Sequence, residues 1–173
     1  NSVSGSGVII DSRGVIMTNA HVAQYLLLKD YPTPDFVNCI IRTGSPAEPM
    51  YTAELLFFPQ SWMEKNASKI NDERPMGNGE YDYALLRITG TVSPNVALPS
   101  AFPYLAVSVD EPVENQNVLL GGYPAGFLGG ITIASKLYAA SANAQIGNLY
   151  TFEGEAVDLF SVGGTIVSQP GST

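Results

Sequence analysis

One histidine and one cysteine occur among 173 residues. The single histidine, His21, excludes a catalytic zinc built on two or three imidazoles. The single cysteine, Cys39, excludes an internal disulfide. It lies in the apolar run Phe36-Val37-Asn38-Cys39-Ile40-Ile41. There it reads as a small buried hydrophobe, and nothing beside it supports the alternative of a thiol nucleophile. Basic side chains are scarce: Lys and Arg total 8 against 16 Asp and Glu, a formal net charge of −8. Nucleic acid is therefore not an expected partner, because a polyanion is repelled. The acidic residues are scattered, so the charge reads as a solubility feature rather than a binding surface. No apolar run approaches the roughly 20 residues of a membrane-spanning helix. A Walker-type phosphate loop, a solenoid repeat and low-complexity segments are all lacking, and no cofactor is expected. The opening Asn1-Ser2-Val3 has neither the basic nor the apolar region of an export signal.

What is present is a 45% hydrophobic chain with 17 glycines and 12 prolines. Its apolar runs are short and punctuated by turn residues, which predicts an all-β fold. Val8–Ile10 and Val15–Thr18 read as two strands joined by Asp11-Ser12-Arg13-Gly14, a hairpin signal. A helical turn is expected within Ala20–Leu28, and strands at Phe36–Arg42 and Tyr51–Phe58, the latter ended by Pro59. The pattern is lost over Gln60–Glu80. A helical turn fits Ser61–Ile70, a surface loop fits Arg74–Gly79, and Trp62 reads as a core anchor in preference to a substrate contact. Asn66-Ala67-Ser68 matches a glycosylation sequon. Tyr83–Ile88 is a short buried strand. Thr89–Tyr104, with Pro94, Pro99 and Pro103, reads as a connector between two lobes. Val118–Pro124, Ile131–Ala140, Leu149–Phe152 and Leu159–Val162 are further strand candidates. The domain division expected is residues 1–98, a connector at 99–106, and residues 107–173.

His21 follows the second strand, in Thr18-Asn19-Ala20-His21-Val22. Imidazole is the side chain that ordinarily takes and gives a proton near neutral pH. Acyl transfer from a peptide bond needs such a base, a hydroxyl nucleophile, a carboxylate to orient the ring, and N–H groups for the oxyanion. Asp82 stands directly before the apolar Tyr83-Ala84-Leu85-Leu86 and is the best acid; alone, it reads equally as a turn or cap aspartate. The closing Gln169-Pro170-Gly171-Ser172-Thr173 supplies two hydroxyls after a Pro-Gly turn.

In this order, Ser4-Gly5-Ser6-Gly7, Thr18-Asn19-Ala20-His21-Val22, Asp82-Tyr83-Ala84-Leu85-Leu86, Gly122-Tyr123-Pro124 and Pro170-Gly171-Ser172-Thr173 resemble the trypsin-like serine peptidases of bacterial type, the HtrA-like and glutamyl-endopeptidase-like branches. The resemblance implies two perpendicular antiparallel β-barrels with the active site in the cleft between them. It implies His21 as general base, Asp82 as its orienting acid and Gly171 N–H as an oxyanion-hole donor. The family's nucleophile lies in Gly-x-Ser-Gly-Gly, and here the serine slot falls on Thr173. Ser172, one residue early, is the weaker candidate. Threonine's extra methyl stiffens χ1 and crowds the attack trajectory. By the same pattern the base of the primary specificity pocket lies six residues earlier, at Val167, which favours apolar or small side chains over Lys or Arg. The family continues for several strands beyond its nucleophile. The expectation is a second barrel truncated at the nucleophile loop, completed by a missing C-terminal segment or a second chain. The functional readings are a serine-type endopeptidase acting on polypeptides outside the cytoplasm and a catalytically dead relative that binds peptide or protein. A third is an unrelated all-β binding domain carrying a chance motif.

Overall fold

The computed structural model describes residues 3–71, 77–123, 137–152, 154 and 156–163. Within them the chain is mostly β-strand with few helices, the fold class that the short apolar runs predict. The strands are β1 (Gly7–Asp11), β2 (Val15–Thr18), β3 (Cys39–Thr43), β4 (Glu48–Phe57), β5 (Ala84–Thr91), β6 (Asn117–Gly122), β7 (Ala140–Tyr150) and β8 (Leu159–Gly163). Two short α-helices, α1 (Ala20–Ala23) and α2 (Gln60–Asn66), are each continued by a 3-10 turn. The chain divides into two compact units. The first holds residues 1–41 and 49–107, the second residues 42–48 and 108–173.

The first unit is built on a five-stranded sheet in the order β1-β2-β5-β4-β3. β1 and β2 form the expected hairpin, whose turn closes through Gly14 N–H donating to Asp11 O at 3.0 Å. Gly14 sits at φ +81°, where a side chain is strained, and a Cβ there would meet the Phe102 ring at 2.8 Å. β2 pairs antiparallel with β5, Thr18 opposite Ala84 and Ile16 opposite Leu86. Alternation along β5 turns Ala84, Leu86 and Ile88 inward, where they join Ile16, Ala23, Ala53 and Phe102 in one cluster. Burial of the larger aliphatic members contributes roughly 1.5–3 kcal/mol each. Tyr51 meets Phe102 edge-on, with ring centroids 5.4 Å apart.

Several boundaries differ from the sequence reading. The third strand begins at Cys39, not Phe36. Residues 33–38 are held in turns instead: Phe36 N–H donates to Thr33 O, and the Asn38 amide donates to Asp35 O. These local bonds compete with strand pairing. Phe36 is consequently exposed, and Cys39 is half-buried against the core. Thr89–Thr91 belong to β5 rather than to a connector, because Gly90 and Thr91 pair with Thr52 and Tyr51. The proline-containing stretch after β5 has no strand, yet it is tied down. Phe102 N–H donates to Ser12 O at 2.8 Å and Leu105 N–H to Ile9 O at 2.9 Å, alongside the outer strand β1.

The region where the sequence pattern is lost folds as α2 and its 3-10 extension, Ala67–Lys69. Trp62 is 1% exposed and meets Phe58 edge-on, as the anchor reading expects. Of the Arg74–Gly79 loop, residues 74–76 lie outside the described residues, and residues 77–79 form turn and bend as expected.

The second unit contains a three-stranded antiparallel sheet in the order β6-β7-β8. β7 spans residues between which the sequence reading left a gap. It absorbs the candidate Leu149–Phe152 up to Tyr150 and starts at the last residue of the candidate Ile131–Ala140, of which residues 131–136 lie outside the described residues. Residues 42–48, which join β3 to β4, belong to this unit, where Ala47 N–H donates to Leu137 O at 2.7 Å and Tyr123 OH to Gly44 O at 3.0 Å.

Candidate active site

β2 ends at Thr18, and α1 begins two residues later. Ala20 and Ala23 seat this turn against the core at 0% and 2% exposure. Small side chains let the backbone approach closely, and the glycine-containing segment before β1 does the same. A Cβ on Gly5 would stand 2.7 Å from both γ-carbons of Val22, the residue after His21. His21 is thus carried on a short turn fixed from beneath, with its own side chain about a quarter exposed.

Asp82 arrives from the neighbouring strand. β5 starts at Ala84, opposite Thr18, so the two residues before β5 run alongside the start of α1. The approach is a tight bend: Tyr81 has φ +53°, Tyr83 N–H donates to Tyr81 O at 2.8 Å, and Asp82 N–H donates to Gly79 O at 3.3 Å. The Asp82 side chain is 10% exposed. A carboxylate that secluded must be paired and hydrogen-bonded, and it is. Its Oδ1 accepts the His21 backbone N–H at 2.9 Å. Its Oδ2 lies 2.7 Å from His21 Nδ1. A carboxylate only accepts, so Nδ1 carries a proton, and in the neutral ring that leaves Nε2 as the basic nitrogen.

Two further side chains complete the cluster. The Asn19 amide donates to Asp82 O at 3.2 Å and to Asp82 Oδ2 at 3.3 Å. Gln24, 2% exposed, donates from Nε2 to His21 O at 2.8 Å. Neither was singled out by sequence reasoning. Asn19 looks like an ordinary helix cap, and Gln24 is one polar residue in a short apolar run. His21 Nε2 has no hydrogen-bond partner among the described residues.

The geometry therefore brings together His21 and Asp82. Gly171, Ser172, Thr173 and Val167 lie outside the described residues. Among the described residues there is no cluster of three or more His, Cys, Asp or Glu able to hold a metal ion.

A basic imidazole nitrogen oriented by a secluded carboxylate is the arrangement on which acyl-transfer hydrolases are built. A family model described as trypsin-like peptidase domain matches residues 5–171. The chain belongs to the trypsin-like peptidase family. No curated protein and no solved structure gives a significant match. Membership of the trypsin-like peptidases makes polypeptide the substrate class. Among the described residues no helix is long and apolar enough to cross a membrane.

Proposed function

We propose that this trypsin-like peptidase domain is a serine-type endopeptidase domain of the bacterial HtrA-like or glutamyl-endopeptidase-like type, working outside the cytoplasm. The observation that carries the reading is the double hold of Asp82 on His21, at the ring and at the backbone. His21 Nε2 takes the proton of the attacking hydroxyl, and the oxygen adds to the scissile carbonyl. The Gly171 N–H donates to the developing oxyanion. The imidazolium, stabilised by Asp82, then gives its proton to the leaving amine, and water releases the acyl group by the same route. Thr173 holds the nucleophile slot, Ser172 is the weaker candidate, and Val167 lines an apolar primary pocket.

A threonine in that slot favours a second reading, a scaffold that binds peptide without cutting it. Its methyl crowds the approach of the carbonyl. The deciding experiment exposes the protein, His21→Ala and Thr173→Ser to a fluorophosphonate probe and to an unstructured protein substrate. An endopeptidase labels and cleaves, and His21→Ala abolishes both. Activity that emerges only in Thr173→Ser identifies the binding scaffold. Silence in all three sinks the peptidase reading.

A further inference from the structure

Asn19 occupies the N-cap position of α1, with φ −77° and ψ 145°, yet its side chain makes no capping bond to the helix. Asparagine at this position ordinarily turns its carbonyl oxygen onto the next N–H groups. Here the opposite end of the amide is engaged. Both of its partners, Asp82 O and Asp82 Oδ2, are acceptors, so the NH2 group must face them. One amide thus holds the same aspartate by its main chain and its side chain.

We propose that Asn19 is a positioning residue: its amide locks the Asp82 carboxylate in the rotamer that receives the His21 Nδ1 proton. This rests on the reading of His21 and Asp82 as base and orienting acid. Among the described residues the carboxylate has three donors, and each constrains it differently. The His21 backbone N–H fixes Oδ1, and the ring Nδ1–H reads Oδ2. Both of those donors belong to the residue being oriented. Asn19 is the donor that refers Oδ2 back to Asp82's own carbonyl, so it fixes the side chain against the β5 end of the structure. Without it, the Asp82 carboxylate keeps, among the described residues, only the donors of the residue it is meant to hold.

The alternative role is a helix cap, and the two roles respond oppositely to substitution. Serine and aspartate both cap well, so Asn19→Ser and Asn19→Asp preserve α1. Neither offers the amide, and aspartate sets a second negative charge against Asp82. Because His21 is the only histidine, nitrogen-15 NMR of the imidazole at alkaline pH reads one ring without ambiguity. The unsubstituted protein should show the Nδ1–H tautomer as the major form, and Asp82→Asn should lose it. Asn19→Ser and Asn19→Asp should both lose it as well, with aspartate the more severe. Retention of the Nδ1–H form in Asn19→Asp assigns Asn19 to capping and overturns the proposal, as does retention in Asn19→Ser. The readout needs no substrate. A protein with the Nδ1–H ring and no peptidase activity therefore contradicts the functional reading alone. A parent protein already lacking that tautomer overturns both.

Discussion

Lys65 Nζ lies 2.7 Å from Glu80 Oε2, joining α2 to the bend two residues before Asp82. The same ammonium stands 5.4 Å from the Tyr81 ring centroid. The Glu80 side chain is 12% exposed and that of Lys65 51%. The pair therefore gains less than a buried one, and solvent screens it. Replacing Glu80 with Gln should lower stability by at most about 1 kcal/mol. The loss should shrink with added salt, as expected of a partly exposed pair. Thermal melts at low and high ionic strength measure it. An equal loss at both would mean that the carboxylate acts through packing instead.

The His21–Asp82 pair makes a kinetic prediction. In a Thr173→Ser background, Asp82→Asn should reduce kcat by about 10⁴-fold while leaving the fold intact, because the amide favours the wrong ring tautomer. KM should change little, since no peptide contact is removed. Steady-state hydrolysis of a peptide substrate separates the two parameters. A pure rise in KM would remove Asp82 from the chemistry.

Gly5 is required by Val22. Alanine at position 5 places a Cβ 2.7 Å from two γ-carbons of a β-branched side chain, which has little freedom to turn away. Gly5→Ala should destabilise the protein by about 1–3 kcal/mol. Combining it with Val22→Ala should recover part of that loss, the non-additivity expected of groups in contact. Denaturant unfolding of the two single variants and the double variant tests this. Strict additivity would show that the clash is relieved elsewhere.

Acid titration offers a fourth handle on the first unit. Arg13 donates to Asp11 through its side chain and its backbone N–H, and these bonds hold the Asp11 carboxyl at about 2, below its ordinary 3.8. A depressed value in the folded state means that the carboxylate's contribution is present above 3.8 and is lost as pH falls through about 2. Arg13→Ala should move the Asp11 titration upward toward 3.8. The stability difference between the two proteins should then vanish across that acidic window. Carbon-13 NMR of the carboxyl and melts across the same pH range report both effects. Titration still near 2 in the variant would assign the shift to the backbone bond alone.

What the sequence disclosed followed the strength of local patterning. β5 was legible because Ala84, Leu86 and Ile88 alternate with outward residues, and the β1–β2 hairpin because Gly14 supplies the turn. β7 was not, since Ala140-Ser141-Ala142-Asn143-Ala144-Gln145 has the strand period but none of the β-branched or aromatic residues that advertise it. Small side chains suffice there because every residue from Ala140 to Gln145 pairs with β6. The pairing of His21 with Asp82 was legible only through family resemblance, for no local rule connects residues so far apart in the chain. Asn19 escaped notice because its identity suits a cap, and the amide's true partner arrives by tertiary structure. Ser172 and Thr173 lie outside the described residues, so their assignment to the nucleophile slot rests on the motif alone.

The antiparallel match of Thr18 to Ala84 acts as a ruler for the whole arrangement. His21 lies three residues beyond Thr18 and Asp82 two before Ala84. The separation of the two is thus set by hydrogen-bond register, not by their sequence separation of 61. A slip of one residue would displace them by roughly 3.3 Å and turn each strand's inward face outward. Loops within the intervening segment can therefore lengthen or shorten over evolutionary time without disturbing the His21–Asp82 pair. A point change that shifts β2 against β5 would dismantle it at once.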